Sequence, residues 1–295
     1  MKQDKFGLMD LLVYAGLILL SATILIPFLH LFNLALSPSH LATKGGLLLY
    51  PPELTFDNYM KVLASKFIWN GYRNTLIRTV AGTSIQLLFT ALGAYAMSKK
   101  YFPHRTFYMF LIVFTMFFSG GLIPSYLLVK DLGLIDHYSA MILPGLVSAY
   151  NLVIMRNYFQ AMPEEIEESC QIDGAGRFRI FFSIVLPLST PILATVALWL
   201  AVGHWNSWFD VLLYIQDEEK FVLQIVLRRI ILTGTQQMMD LTAANGSTTF
   251  QEETLSSPEG LKAASIFVAT IPILCVYPFI QKYFVQGIMI GSLKG

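Results

Sequence analysis

Residues 163–187 read Pro163-Glu164-Glu165-Ile166-Glu167-Glu168-Ser169-Cys170-Gln171-Ile172-Asp173-Gly174-Ala175-Gly176-Arg177-Phe178-Arg179-Ile180-Phe181-Phe182-Ser183-Ile184-Val185-Leu186-Pro187. This hydrophilic block sits between apolar segments of an otherwise membrane-like chain. Pro163 suits the first helical position, where its missing N–H costs nothing. Glu164, Glu165, Glu167 and Glu168 crowd the first turns, where carboxylates meet the positive end of the helix dipole. Gly174, following Asp173, can take the left-handed conformation that closes a helix. A second helical stretch is expected from near Gly176, with Arg177 and Arg179 among Phe178, Phe181 and Phe182, and Pro187 opening the next apolar segment. A compact polar helix–turn–helix in a short membrane-protein loop is a candidate docking surface. On charge pattern alone, an ordinary solvated loop fits equally well.

Outward from this block the chain is apolar. Of its 295 residues, 55% are hydrophobic and 13% charged, with a mean hydropathy of +0.58. Soluble domains carry about a quarter charged residues. A spanning helix needs roughly 20 mainly apolar residues, and six candidates are expected near Leu8–Leu34, Thr75–Met97, Phe107–Val129, Ser139–Tyr158, Leu188–Ile215 and Ala264–Ile280. Long apolar runs satisfy their backbone groups in lipid as helices, not as alternating barrel strands. The expected fold is therefore an all-α polytopic membrane bundle. The first segment follows Lys2 and Lys5 but is too long for a signal-peptide core and lacks a clear cleavage site, so it reads as a retained helix. Six spans put both termini on one side. With the termini inside, the inner loops hold ten Lys/Arg, counting Arg156 near the inner end of the fourth span, and the outer loops nine spread over more residues, a modest inside bias that places residues 163–187 in the cytoplasm. Arg73 and Arg78 fall near an outer helix end, where snorkelling accounts for them.

The spacing Glu168-Ser169-Cys170, three residues, Gly174, nine residues, Ile184, one residue, Leu186-Pro187 resembles the EAA loop of permease subunits of ATP-binding-cassette (ABC) importers. Asp173-Gly174-Ala175 and Leu186-Pro187-Leu188-Ser189-Thr190-Pro191 are similar to the maltose-type carbohydrate uptake branch, in its MalG-like half. The likeness runs from about Tyr72 and includes Gln281-Lys282-Tyr283-Phe284-Val285-Gln286-Gly287. Ser169 and Cys170 replace the usual alanines and are also small. The resemblance implies a six-helix type I importer fold with both termini cytoplasmic. Its parts would be an N-terminal helix and outer loop (1–71), a transmembrane domain (72–290) and a tail (281–295) reaching the ATPase pair. It also implies that the helix from Pro163 to about Ile172 couples to an ATPase, with Glu168 meeting a basic residue there. Glu164, Glu167, Asp173, Gly174, Ala175, Arg177 and Pro187 would complete the coupling group. The implied partners are a second homologous permease, two ATP-binding subunits, an extracytoplasmic solute-binding protein and a carbohydrate, with the lipid bilayer of a bacterial cytoplasmic (inner) membrane around them.

The remaining chemistry is sparse. No Gly-x-x-x-x-Gly-Lys-Ser/Thr run is present, so the chain lacks the loop that cradles nucleotide phosphates. No cofactor is expected on this chain; ATP and Mg belong to the partner ATPases. The five histidines have no metal-ligand partners at useful spacing, and no catalytic constellation is legible. No basic stripe suggests nucleic acid. Cys170 and Cys275 do not form a disulfide framework, and Cys170 reads as a small packing residue. Substrate-path candidates are Tyr150 and Asn151 in the fourth span and Trp199, His204, Trp205, Asn206, Trp208 and Asp210 in the fifth, since aromatic faces with amides and carboxylates suit sugars. Interfacial enrichment of Trp, with Asp210 at headgroup level, explains the same residues. The function read from this is an ABC importer permease for a carbohydrate, an oligosaccharide by analogy. An importer of a non-sugar solute and a self-sufficient secondary transporter are the alternatives. The near-absence of carboxylates from span centres disfavours proton coupling.

Overall fold

The computed structural model describes residues 7–38, 46–47, 49–51, 53–232 and 259–275. Among the described residues there is no strand. The helices are α1 (Leu8–Ala35), α2 (Asp57–Ala64), α3 (Lys66–Ser98), α4 (Arg105–Phe117), α5 (Leu122–Asp131), α6 (Ala149–Gln160), α7 (Glu164–Ile172), α8 (Arg177–Leu188), α9 (Thr190–Asn206) and α10 (Phe209–Tyr214). Residues 223–232 and 259–275 are helical as well. The sixth expected span, Ala264–Ile280, is thus helical as far as 275. Its remainder and the tail 281–295 lie outside the described residues.

Two expected spans are single helices: α1, with a mean hydropathy of 2.3 over its most apolar window, and α3. α3 begins at Lys66, not at Thr75, and its 33 residues give about 50 Å at 1.5 Å per residue. That exceeds the ~30 Å hydrocarbon layer, so α3 continues beyond it. Its more polar first turns escape a hydropathy reading.

The third, fourth and fifth expected spans are not continuous. α4 and α5 are bent by 116° at Ser119-Gly120-Gly121, where Gly121 has φ +87°. Before α6 the chain makes two 3-10 turns, Tyr138–Met141 and Leu143–Gly145, bent 55° from α6. Pro144 and Gly145 sit in the second of these turns. α8 and α9 meet at 83°, and α9 breaks again at Ser207-Trp208 before α10. By length and composition, two described helices can cross a membrane unaided, or up to five segments if each bent pair is one span.

The bend at Ser189 has a local cause. Pro187 and Pro191 lack the N–H groups that would continue the ladder. The Pro187 carbonyl, which Pro191 cannot serve, instead accepts from Thr190 Oγ1 at 2.7 Å. Residues Phe181–Val185 form a π-helical segment within α8, the extra-residue distortion that precedes such a break.

The chain forms two compact units, one from the described parts of Met1–Trp69 and Val226–Pro272, the other from those of Asn70–Ile225 and Ile273–Gly295. In the first, Asn58 Nδ2 donates to the carbonyls of Ala35 and Ser37, both at 3.1 Å, tying amphipathic α2 to the end of α1. In the second, Ala91, Ala94 and Tyr95 of α3 pack with Met155 and Phe159 of α6, Ile180, Phe181 and Val185 of α8 and Val196 of α9. Where lipid competes equally for apolar groups, close packing does the holding, and small residues such as Ala91 and Ala94 permit it.

Candidate functional site

Residues 163–175 form a capped, self-contained helix. Pro163 takes an extended conformation as the N-cap of α7, and Glu164, Glu165 and Glu167 occupy the first turn. At the other end Gly174 has φ +77°. Its N–H donates to Gln171 O at 3.0 Å, and Ala175 N–H donates to Cys170 O at 2.9 Å. These two bonds are a Schellman closure, and the Cys170 and Ala175 side chains pack on the α3–α6–α8 core. The small residues at 170 and 175 therefore seat the helix end. Arg177 then begins α8, capped by Gly176.

The carboxylates of α7 divide into two sets. Glu167 turns inward, 8% exposed, where it is ion-paired with Lys99 and accepts from Tyr95 Oη at 3.1 Å. Glu164, on the surface, pairs with Lys100 at 2.6 Å. The hydrogen bond from Lys100 and its charge hold the Glu164 carboxyl below the usual carboxylate range. Glu168 and Asp173 are exposed. Glu168 and Gln171 line a cavity of about 430 Å³ with Lys99, Lys100, Tyr101 and Phe159. Arg177 lies over the Tyr101 ring, 4.4 Å from its centroid. Pro187 is exposed within α8.

Sequence reasoning missed two features. Ile172 (86% exposed) and Phe178 (75%) present large apolar side chains at the turn, although both stood in the quoted block. Lys99, Lys100 and Tyr95 were not seen as partners of α7, because nothing in one sequence links positions about 70 apart.

The substrate-path candidates separate. Tyr150 and Trp199 come together as an exposed aromatic pair, ring centroids 6.1 Å apart. Asn206 is exposed at the end of α9, and Trp208 stands edge-on to Phe209 at 5.5 Å. Asn151 is buried, its N–H donating to the Ser148 hydroxyl at 3.4 Å. His204 and Trp205 are buried too.

Arg78 overturns the snorkelling expectation: it is 3% exposed and ion-paired with Asp210. Asp210 also accepts from the Ser207 hydroxyl at 2.7 Å. Arg78 Nε donates to His204 Nδ1 at 3.3 Å, so the ring proton sits on Nε2, facing Gln86 Oε1 at 3.2 Å. Gln86 Nε2 in turn donates to Gly145 O at 2.8 Å, and Arg78 Nη2 lies 3.4 Å from Met141 O. This buried network joins α3 to the 3-10 turns before α6 and to the α9–α10 break. Gly82 makes room for it: a Cβ there would fall 2.6 Å from His204 Cε1.

Loop segments of this unit are fastened by backbone-directed side chains. Asn74 Nδ2 donates to Glu219 O at 2.7 Å and Phe221 O at 2.9 Å, and Tyr138 donates to Asn74 Oδ1 at 2.8 Å. Asp136 accepts from the amides of Gln216 and Asp217 and from Lys220 at 2.9 Å. The Asp217 amide foremost, with Lys220, holds the Asp136 carboxyl below its ordinary value.

The chain matches the family model described as "Binding-protein-dependent transport system inner membrane component" over residues 87–290. It is 40% identical over 290 residues to the protein LplC of Bacillus subtilis (strain 168), covering 98% of this chain and 95% of that protein. It is 38% identical over 291 residues to the polygalacturonan/rhamnogalacturonan transport system permease protein YtcP of the same strain, covering 99% and 100%. A crystal structure of a bacterial ABC transporter involved in the import of the acidic polysaccharide alginate superposes with a TM-score of 0.85 at 32% identity, covering 96% of this chain and 99% of that one. A helix capped at Pro163 and Gly174, among apolar and broken helices, is thus found in a chain that belongs to the family of inner-membrane components of binding-protein-dependent transport systems.

Proposed function

We propose that this chain is the permease subunit of an ABC importer that carries an oligosaccharide across the membrane. The observation that carries this reading is α7 with the turn after it: a capped acidic helix with Glu168 and Ile172 outward, followed by exposed Asp173 and, at the start of α8, Phe178, while its other face is anchored. Exposed large apolar side chains beside charges are the composition of a docking surface. In this reading Glu168 meets a basic side chain in a cleft of the ATPase, and Ile172 and Phe178 are covered on docking. ATP-driven closure of two such subunits displaces α7. Through the Gly174 turn and α8, the motion reaches the bend at Ser189 and then α9, tilting the bundle between its two access states. The finer arrangement proposed is six spans with both termini cytoplasmic, a homologous permease alongside, and a binding protein delivering cargo from outside. The relatives named for polygalacturonan, rhamnogalacturonan and alginate support an oligosaccharide cargo, and the exposed Tyr150–Trp199 pair offers aromatic faces of the kind that stack on sugar rings.

The test is reconstitution of the full complex in liposomes with a binding protein loaded in turn with acidic and with neutral oligosaccharides. The expected result is ATP hydrolysis stimulated by one of these sugar-loaded forms. Stimulation by none of them, with a non-sugar solute effective instead, overturns the carbohydrate reading. Failure of any ATPase subunit to co-purify overturns the importer reading.

A further inference from the structure

The two neighbouring carboxylates Glu167 and Glu168 face opposite ways, and Glu167 has no part left for docking. Its carboxylate is engaged by the Tyr95 hydroxyl, in the last turn of α3, and by Lys99, the residue that follows the helix. Lys99 Nζ also sits 4.6 Å above the Tyr95 ring. That ring packs against Phe181, at the start of the π segment, at 5.1 Å and against Phe159 of α6 at 6.2 Å. Arg156 of α6 donates to Met97 O at 3.3 Å, a second tie to the same end of α3. A rigid displacement of α7 therefore either carries the end of α3 with it or strips a buried carboxylate of both partners. The second course leaves an uncompensated charge inside the protein, which is strongly unfavourable.

We infer that Glu167 is a positioning residue which, through Lys99 and Tyr95, makes α7 and α3 move as one piece. Displacement of α7 thereby reaches the bundle at two helices, α9 by way of α8 and α3 by way of this joint. This inference rests on the reading of α7 as the docking helix. It assigns a distinct task to each member of the pair: Glu168 engages the motor, and Glu167 distributes the motion. α3 also carries Arg78 and Gln86, which hold the broken spans, so motion of α3 is felt at the breaks.

The experiment uses the assembled complex with both ATPase subunits, Cys170 and Cys275 replaced by serine, and spin labels introduced at Gln171 of α7 and Leu88 of α3. Distances are measured without nucleotide and after trapping with ATP and vanadate. With Glu167 intact, the Gln171–Leu88 distance is expected to change by less than about 2 Å, the scale of a packed-helix adjustment. In Glu167→Ala it shifts beyond that range on trapping, and Glu167→Lys with Lys99→Glu restores the fixed distance. Equal behaviour of the parent and Glu167→Ala, or a large change in the parent itself, overturns the joint. Loss of the ATPase subunits from the parent complex overturns the docking reading beneath it, and retention with a moving distance overturns only the joint.

Discussion

Gly174 and Gly82 are required for different physical reasons, and each sets up a distinct experiment. Gly174 is needed for its backbone: at φ +77° a β-branched residue is strained, and the cost is about 1–3 kcal/mol. Gly174→Val should loosen the Schellman closure, lower the thermal midpoint of the purified complex by a few degrees and reduce retention of the ATPase. Gly82 is needed for its missing side chain, because the imidazole of His204 occupies that space. Gly82→Ala should destabilise by about 1–3 kcal/mol through overpacking. Gly203→Ala, where a Cβ meets nothing within 4 Å, should stay within roughly 0.5 kcal/mol. Equal midpoints for the two alanine variants would refute the close approach of α9 to α3.

At the scale of elements, the bundle depends on polar groups where its helices break. Arg78 is 3% exposed and Asp210 24%, so removing the aspartate leaves a buried guanidinium uncompensated, whereas removing the arginine leaves a partly exposed carboxylate. Asp210→Ala, which strands the buried guanidinium, should cost about 3–5 kcal/mol, whereas replacing both by apolar residues, Arg78→Met with Asp210→Leu, should cost far less. Thermal unfolding in detergent reads both, and a double variant as unstable as the single one contradicts the pairing. The pair also shows how far the sequence could be read. α7 was legible in detail, because Pro163, the glutamates and Asp173-Gly174-Ala175 are local signals that act within one turn. The existence of long apolar helices was legible for the same reason. The breaks at Gly121, Pro144 and Ser207 were not: composition stays apolar across them, and a hydropathy window averages over a turn. Arg78 was placed near a helix end by counting from Thr75, but α3 begins at Lys66. That extra length puts Arg78 three turns inside the helix, opposite an aspartate 132 residues away. Glu167 shared its charge with its neighbours and was separated from them only by the facing of the helix.

On the proposed reading, the whole molecule is an apolar, broken-helix bundle driven from outside itself through one polar helix. The bundle would supply the path and the bends and α7 the handle; no Gly-x-x-x-x-Gly-Lys-Ser/Thr run is present in the sequence. Insertion and handle function are then separable, because Glu168 is exposed and Glu168→Lys disturbs no described contact within the fold. The direct measurement is ATP-dependent uptake of labelled oligosaccharide by liposomes holding the complete transporter and its binding protein, comparing the parent chain with Glu168→Lys at equal amounts inserted. Coupling through α7 predicts robust uptake by the parent and a loss of at least tenfold, about 1.4 kcal/mol in effective coupling, in the variant. Uptake by Glu168→Lys at the parental rate, or uptake by the parent that needs no ATP, would contradict it.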